Sequence, residues 1–323
     1  MIVDVIRSIE SKCRLFLDSS QLECLHSVLI DCIQMCNKGP DGQSNEVLIK
    51  SFIDSKRIEG CSEKTLKYYG STLLTFSSSS GKQMSSMDTS DIRSYLSDYY
   101  ENRGISKVTV NNVRRILSSF YSWLEEENII LRSPVRRIKK VKTAKVVKQT
   151  YSDENLEELR DGCDNIRDLS MIDLLSSTGM RVGELVNLNR DDIDFNNREC
   201  VVLGKGNKER TVYFDARTKV HLSNYLSSRS DSDPALFVTL SKPHNRLQIS
   251  GVETRLKKIG KKLGILGVHP HKFRRTLATR AIDKGMPIEQ VQTLLGHQKI
   301  DTTLEYAMVS QQNVKTSHSK FIC

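Results

Sequence analysis

Four side chains in the last third of the chain could together act on a phosphodiester. His271 lies three residues before Arg274, His297 follows a Leu-Gly pair, and Tyr306 comes nine residues after His297. A tyrosine is a weak nucleophile at neutral pH because its phenol titrates at about 10, so it needs a proton acceptor or a strongly cationic pocket. Arginine is permanently charged and can donate two hydrogen bonds to one phosphate. The pattern therefore predicts a tyrosine that attacks phosphorus while cations hold the phosphate oxygens.

This chemistry requires no metal ion or cofactor, and the sequence predicts neither. The leaving 5′ oxygen needs a proton, which a lysine or a histidine can supply. The sequence lacks the carboxylate clusters of two-metal nucleases and has no phosphate-binding loop. Cys24, His26, Cys32 and Cys36 could be drawn as a metal site, but reduced thiols in a cytosolic protein are the favoured interpretation.

The composition indicates a globular protein with a polyanionic partner. The chain has 323 residues, enough for two domains, and a formal net charge of +10 at pH 7. Acidic lipid could also attract such a protein, but the sequence contains no apolar run of transmembrane length. Charged side chains interrupt residues 1–16, so this stretch is not a signal peptide. We therefore expect a cytoplasmic, nucleoid-associated protein with no membrane partner.

Hydrophobic periodicity predicts a mainly α-helical chain with a small antiparallel β-sheet. Residues 1–44 should form two helices and residues 45–130 four more. Residues 199–203 and 210–214 should pair as a β-hairpin, and residues 236–239 could add an edge strand. Helix N-caps are expected at Asn45, Ser62, Thr89 or Ser90, and Ser152.

A stretch of positive charge separates the two halves of the chain. Residues 128–152 contain eight lysines or arginines and no acidic side chain. A solvated linker is the simplest explanation of a charge run, but in a basic protein such a run favours contact with nucleic-acid phosphates. The residues predicted to contact DNA lie in this stretch and on the helix before it: Lys107, Arg114, Arg115, Arg136, Arg137, Lys139, Lys140, Lys142 and Lys145.

Four sequence boxes resemble those of the tyrosine recombinases, the family that includes phage integrases and Xer-type enzymes. TGMRVGEL at residues 178–185 resembles the first arginine box, and LGKGNKER at residues 203–210 resembles the lysine-bearing hairpin. HKFR at residues 271–274 resembles the H-x-x-R box, and LGH at residues 295–297 precedes Tyr306 at the family's spacing. Each match alone could be coincidence, but together they predict a member of this family.

The resemblance implies a catalytic set: Arg181, Lys205, His271, Arg274, His297 and Tyr306, with Glu184 in support. In this set the arginines clamp the phosphate, the lysine protonates the leaving oxygen, the first histidine acts as a base and the second bonds the phosphate. The tyrosine is the nucleophile, and the glutamate supports the first arginine. Lys208 is a rival for the lysine and His269 for the first histidine, although only His271 has an arginine three residues on. Arg275 departs from many relatives, which have a second histidine there.

The resemblance also implies a domain organisation and partners. Residues 45–135 correspond to a helical, SAM-like core-binding domain and residues 151–309 to the catalytic domain. Joined by a basic linker at residues 136–150, the two would form a C-shaped clamp around double-stranded DNA. Four protomers would hold two recombination sites, with the tail at residues 310–323 docking on a neighbour and an accessory DNA-bending protein assisting. Residues 1–44 are net acidic and should pack on their own domain, with docking on a neighbouring protomer as the alternative.

The predicted function is site-specific strand exchange through a 3′-phosphotyrosyl intermediate, without metal or ATP. The N-terminal helices are unlike a short Xer-type start, which favours integration or excision of a mobile element. Xer-like chromosome dimer resolution and DNA inversion are the alternatives. A type IB topoisomerase would share the chemistry but rejoin the same strand. A DNA-binding protein that no longer cuts is disfavoured, because no catalytic position is replaced.

Overall fold

The structure is a computed structural model that describes residues 2–37, 44–101, 104–143, 149–204, 208–297, 300–304 and 318–319. The chain divides into two compact units, Met1–Lys145 and Val146–Cys323. Within the described residues it is mainly helical, with a small three-stranded antiparallel sheet in the second unit, which confirms the predicted secondary-structure class. None of the described helices is both long enough and apolar enough to cross a membrane.

The first unit consists of helices in the predicted order. The two expected N-terminal helices and the four that follow are present, with two short 3₁₀ turns at Met84–Ser86 and Pro134–Arg137. The α-helices are α1 (Ile2–Cys13), α2 (Ser19–Asn37), α3 (Asn45–Ile58), α4 (Glu63–Ser80), α5 (Thr89–Glu101) and α6 (Lys107–Glu126).

The start of α3 corrects one predicted cap. Ser44, not Asn45, caps the helix, and its hydroxyl accepts a hydrogen bond from the Val47 amide at 3.4 Å. Asn45 is the first residue of the helix. Its side-chain amide donates to the Ser77 hydroxyl at 2.9 Å, and its oxygen accepts from the Met84 amide at 2.8 Å. Tertiary partners therefore take up the side chain that the sequence suggested as a cap.

The start of α5 corrects a second cap. Asp88 caps the helix rather than Thr89 or Ser90, because one of its carboxylate oxygens accepts from the amides of Ser90 and Asp91 at 2.7 and 2.9 Å. The Thr89 hydroxyl donates instead to the Pro134 carbonyl at 2.8 Å. The other two predicted caps are confirmed: Ser62 and Ser152.

The core of the first unit is aromatic and centres on α6. Phe120, Tyr121 and Trp123 are buried on this helix, and Phe120 meets Phe52 edge-on with ring centroids 5.4 Å apart. The buried residues of α6 recur at helical spacing, so one face of the helix points into the core.

Part of the basic stretch packs against this core. Val135 is buried, and Asn111 on α6 exchanges two hydrogen bonds of 2.9 Å with the backbone of Val141. The chain is therefore attached to α6 as far as Val141, within the basic stretch, so this part of it is not a freely solvated linker.

The second unit combines a small sheet with a larger set of helices. The sheet has the order β1-β2-β3 with antiparallel neighbours, and β2 and β3 form the predicted hairpin. The strand β3 begins one residue earlier than predicted, and β1 was not predicted. The elements are α7 (Asp153–Asp161), α8 (Ile166–Thr178), α9 (Val182–Asn187), β1 (Ile193–Asp194), β2 (Glu199–Leu203), β3 (Glu209–Tyr213), α10 (Ala216–Ser227), α11 (Ile249–Lys262), α12 (Pro270–Asp283), α13 (Ile288–Leu295) and α14 (Ile300–Leu304).

The edge strand predicted at residues 236–239 is wrong. The structure has only isolated bridges there, at Ala235 and Val238, within the described residues. The Arg229 guanidinium donates to the carbonyls of Ala235 and Leu236, which are acceptors that a strand ladder would need. The apolar run is a buried segment of the core rather than a strand.

The helix α8 is central to the second unit and leads to the candidate site. It packs against α10 and α12, and most of its side chains are buried. Its buried Asp173 is paired with Arg160 at 2.6 Å, as a buried charge requires. The helix ends at Gly179, whose φ of 60° lies in the left-handed region that glycine adopts without strain. This turn directs the chain to Arg181, two residues later.

Candidate active site

The candidate site is built around a buried glutamate in the first turn of α9. Glu184 is 5% exposed. Its Oε2 accepts from the backbone amide of Arg181 at 2.7 Å, and its Oε1 accepts from the Arg181 guanidinium at 2.8 Å. Arg210 donates two further hydrogen bonds, of 2.8 Å to Oε1 and 2.7 Å to Oε2. One carboxylate therefore fixes two guanidinium groups by charge-assisted hydrogen bonds.

The carboxyl group of Glu184 is ionised despite its burial. Burial alone would raise the pKa of Glu184, but hydrogen bonds from Arg210 and Arg181 outweigh this effect and bring the pKa below its usual value. The resulting negative charge offsets one of the two adjacent positive charges. The three side chains together therefore keep a net positive charge, which suits an anionic ligand.

Arg210 has a structural role that the sequence analysis did not assign. It lies on β3 opposite Val202, and Val212 on the same strand face is fully buried. Its Nε donates to the Leu294 carbonyl at 3.1 Å, which links β3 to the end of α13. The sequence did offer one signal for this role. Arg210 stands on the inward face of a strand whose side chains alternate between core and solvent, and a charge on that face requires partners.

The turn after α13 brings the L-G-H box against the same arginines. Gly296 has a φ of 64°, and a Cβ atom at this position would lie 2.9 Å from Cδ of Arg210. The Gly296 carbonyl accepts a hydrogen bond from Nη2 of Arg181 at 3.1 Å. Glycine is therefore required here both by the backbone conformation and by the close approach of Arg210.

Arg274 joins the end of α8 to the L-G-H box. Its side chain lies within α12 and is 1% exposed. Nη1 donates to the Gly179 carbonyl at 2.9 Å, and Nη2 donates to the Leu295 carbonyl. Both carbonyls lie at helix C-termini, where the helix dipole favours a positive charge. The second predicted phosphate clamp is thus held in place by backbone acceptors.

His297 lies among these cations. Its Nδ1 is 2.9 Å from the hydroxyl oxygen of Thr303 on α14. Burial, and then the positive charges of Arg274, Arg181 and neighbouring groups, lower the pKa of His297 to about 4. The imidazole is therefore neutral at pH 7. The structure brings four of the predicted site residues to one place: Arg181, Glu184, Arg274 and His297.

The two candidate histidines at the start of α12 differ in their surroundings. His269 is the N-cap residue of α12, and its backbone amide donates to the Tyr151 hydroxyl at 3.4 Å. His271 is exposed on the first turn, and it is close enough to His297 for its protonated form to lower the pKa of His297. His271 therefore shares the electrostatic environment of the pocket.

Two predicted catalytic residues, Lys205 and Tyr306, lie outside the described residues. The ends of the loop that carries Lys205 are described, and the Gly204 amide donates to the carbonyl of the exposed Lys208 at 2.8 Å. A Cβ atom at Gly204 would lie 3.7 Å from Oε1 of Glu184. The loop therefore begins beside the buried glutamate.

Most residues predicted to contact DNA have exposed side chains in the first unit. The exposed ones are Lys107, Arg115, Arg136, Arg137, Lys139, Lys140 and Lys142. Arg136 lies 3.7 Å from Glu125. Arg114 is half-buried and donates to the Ile138 carbonyl at 3.2 Å, so it also holds the basic stretch on α6. Lys145 is outside the described residues.

The described part of the chain contains no group of three or more His, Cys, Asp or Glu side chains that could hold a metal ion. Of the four N-terminal residues that could be drawn as a metal site, His26 pairs with Glu10, and Cys24 is an exposed thiol. The side chains of Cys32 and Cys36 lie outside the described part. What the described pocket offers a ligand is guanidinium and imidazole groups, which suit a phosphate.

Comparison with known proteins establishes the class of protein. The phage integrase family matches residues 143–313, and the N-terminal SAM-like domain of phage integrases matches residues 48–130. The chain therefore belongs to the phage integrase family: it is a tyrosine recombinase, a DNA strand-exchange enzyme. A curated relative, tyrosine recombinase XerC of Staphylococcus aureus strain JH9, is 34% identical over 280 residues, covering 82% of this chain and 93% of that protein.

Solved structures of tyrosine recombinases share the fold. The XerH site-specific recombinase bound to a palindromic difH substrate aligns with a TM-score of 0.68 at 19% identity, covering 98% of this chain and 95% of that chain. The Tn1549 transposon integrase in complex with a circular intermediate DNA also aligns with a TM-score of 0.68, at 18% identity, covering 84% of this chain and 98% of that one. The predicted combination of a helical domain and a recombinase catalytic domain is confirmed.

Proposed function

We propose that this enzyme cuts and rejoins duplex DNA through a covalent bond between Tyr306 and a 3′ phosphate. The observation that supports this most directly is the pocket that Arg181, Arg274 and His297 form at the end of α13. Its cations and its neutral imidazole suit a scissile phosphate. The membership of the chain in the phage integrase family supports the same chemistry.

Arg181 and Arg274 are proposed to bind the non-bridging oxygens of that phosphate. Both guanidinium groups are already held by protein acceptors, so little reorganisation is needed when negative charge develops in the transition state. His297 would add one further hydrogen bond. Removing one such donor typically lowers the rate by about 10²–10³-fold, so each of the three residues should be essential in practice.

The proton transfers are assigned to residues at the edge of the pocket. His271 would accept the phenolic proton of Tyr306, and Lys205 would protonate the leaving 5′ oxygen. Attack by a 5′-hydroxyl from the partner duplex reverses both transfers and releases the tyrosine. One phosphate ester replaces another at each step, so the proposed reaction needs neither a metal ion nor ATP.

Both units are proposed to contact one duplex, with the exposed cations of the first unit on its phosphates. Four protomers would hold two sites, each tail at residues 310–323 docking on a neighbour, with an accessory DNA-bending protein assisting where a site requires it. An open groove of about 820 Å³ in the second unit, lined in part by Phe273, Leu277 and Met286, offers apolar side chains for such a segment.

The proposed biological role is integration or excision of a mobile element, in the cytoplasm at the nucleoid. The helices α1 and α2, which precede the first family match at residue 48, support it. A second candidate is Xer-like resolution of chromosome dimers, which the 34% identity to the XerC relative favours. Deleting the gene separates the two, because unresolved dimers would accumulate only in the second case. In the first case an excision junction would disappear, whereas loss of a reversed segment would indicate DNA inversion.

Covalent trapping tests the proposed chemistry. The protein is incubated with nicked duplexes tiled across the DNA that flanks its gene, and the products are run on denaturing gels. The wild type should form an adduct on a few duplexes, whereas Tyr306→Phe should bind the same duplexes and form none. Tyr213→Phe, which changes an exposed tyrosine of the second unit, is the matched control and should retain the adduct. An adduct of normal yield with Tyr306→Phe would reject the nucleophile.

A further inference from the structure

The side chain of Thr303 contacts the candidate site although it is not among the predicted catalytic residues. Thr303 is fully buried on α14, and its Oγ1 lies 2.9 Å from Nδ1 of His297. It also lies three residues before Tyr306 in the sequence. A hydroxyl can donate or accept, so this contact can set the protonation pattern of the imidazole.

The proposed role of His297 makes the position of its proton important. A neutral imidazole carries one proton, on either Nδ1 or Nε2. The non-bridging oxygens of a phosphodiester accept hydrogen bonds, so the ring nitrogen that meets them must carry the proton. With Nδ1 directed at Thr303, that nitrogen is Nε2.

The cations around the imidazole favour a neutral ring. They keep the pKa of His297 at about 4, after the larger effect of burial. The hydroxyl in contact with Nδ1 bears directly on which ring nitrogen carries the proton. If Thr303 donates to Nδ1, the proton is on Nε2; if Thr303 accepts, the lone pair of Nε2 would repel the phosphate.

We propose that Thr303 is a positioning residue that donates its hydroxyl proton to Nδ1 and holds His297 as the Nε2-protonated tautomer. This inference rests on the proposed function, in which His297 donates to the scissile phosphate. The same hydrogen bond attaches α14, the helix that leads to Tyr306, to the turn that follows α13. Thr303 thus orients one phosphate donor and anchors the segment before the nucleophile.

The test compares Thr303→Val, which keeps the shape and removes the hydroxyl, with Thr303→Ser, which keeps the hydroxyl. Two-dimensional NMR of the ¹⁵N-histidine-labelled full chain reports which ring nitrogen carries the proton, and a His297→Gln spectrum identifies the signal. The wild type and Thr303→Ser should show the Nε2-protonated form at pH 7. Thr303→Val should show a mixture or the Nδ1-protonated form.

The activity of the same proteins supplies a second readout. Thr303→Val should slow adduct formation by roughly tenfold, the effect of about one hydrogen bond, with DNA affinity unchanged, and Thr303→Ser should restore most of the rate. A wild-type protein with the proton on Nδ1 overturns the proposal, even if Thr303→Val fails to fold. So does a folded Thr303→Val protein that retains the Nε2-protonated form. The tautomer is measured without DNA, so its outcome is distinct from failure of the Tyr306→Phe test.

Discussion

The pocket of the second unit and the basic stretch of the first unit both carry positive charge, but they hold it differently. In the pocket, the guanidinium groups of Arg181, Arg210 and Arg274 are bonded to a buried carboxylate or to helix-end carbonyls. In the stretch, Lys139 and Lys140 are exposed. Stabilising a transition state requires fixed positions, whereas attraction to a phosphate backbone sums over many charges and tolerates movement. The positive charges of the pocket are therefore fixed in position, whereas those of the exposed lysines in the basic stretch can move.

The largest expected effect comes from breaking the fixed network. Arg210→Ala removes two hydrogen bonds from a buried carboxylate, and the two side chains are only 11% and 3% exposed. Removing one partner of a buried ion pair costs about 3–5 kcal/mol, and the remaining bonds from Arg181 place this case near the lower end. We expect the free energy of unfolding, measured by urea denaturation, to fall by about 3 kcal/mol.

A substitution in the basic stretch serves as the comparison for Arg210→Ala. Lys139→Ala should change the free energy of unfolding by less than about 0.5 kcal/mol, as exposed substitutions usually do. Adduct formation by Arg210→Ala should also fall. Without Arg210, Glu184 is held by Arg181 alone, so the carboxylate and the Arg181 guanidinium are less firmly positioned. If Arg210→Ala were as stable and as active as Lys139→Ala, the network would have no role in holding the pocket.

The second prediction concerns the basic stretch. Replacing Lys139, Lys140, Lys142 and Lys145 with Gln should reduce the slope of log affinity against log salt by about 3–4, because each phosphate contact contributes roughly 0.9. The adduct rate at saturating DNA should remain unchanged. The control replaces Lys12 and Arg14 with Gln, at the end of α1 in the net acidic N-terminal region, and should leave the slope unaltered. A slope that the four replacements do not change would show that these lysines do not meet phosphate.

The smallest effect concerns pH, to which the pocket responds through His297. The folded pKa of His297 is about 4, below the usual value of about 6.5 for the unfolded chain. As the pH falls from about 6.5 to about 4, the unfolded chain binds a proton at this histidine before the folded chain does. The free energy of unfolding therefore decreases over this range. Urea denaturation at pH 7 and pH 5 should show a smaller loss for His297→Gln than for the wild type. Equal losses in both proteins would contradict the shifted pKa.

The sequence predicted those parts of the site that depend on local spacing. Arg181, Arg274 and His297 stand in short boxes, each at the end or the first turns of a helix, and the fold brings these boxes together. Arg210 was missed because its partner Glu184 is 26 residues away, and the contact exists only once β3 packs beside α9. Thr303 was missed for a related reason, since its position in a short helix does not reveal a contact with His297.

The predicted fold shows the same division between local and tertiary signals. The helices of both units follow from periodicity and from caps such as Ser62 and Ser152. Asn45 failed as a cap because tertiary partners bind its side chain. The apolar run at residues 236–239 failed as a strand because Arg229 takes the neighbouring carbonyls. Long-range side-chain contacts of this kind leave no periodic pattern in the sequence.

Mapping the covalent adduct would show whether the fixed pocket serves a tyrosine nucleophile. A trapped complex is digested with nuclease and trypsin and analysed by mass spectrometry. Tyr306 lies in the tryptic peptide of residues 300–315, which contains no other tyrosine. We expect a nucleotide linked to this peptide through a 3′ phosphate. A nucleotide on any other peptide, or a linkage through a 5′ phosphate, would contradict it.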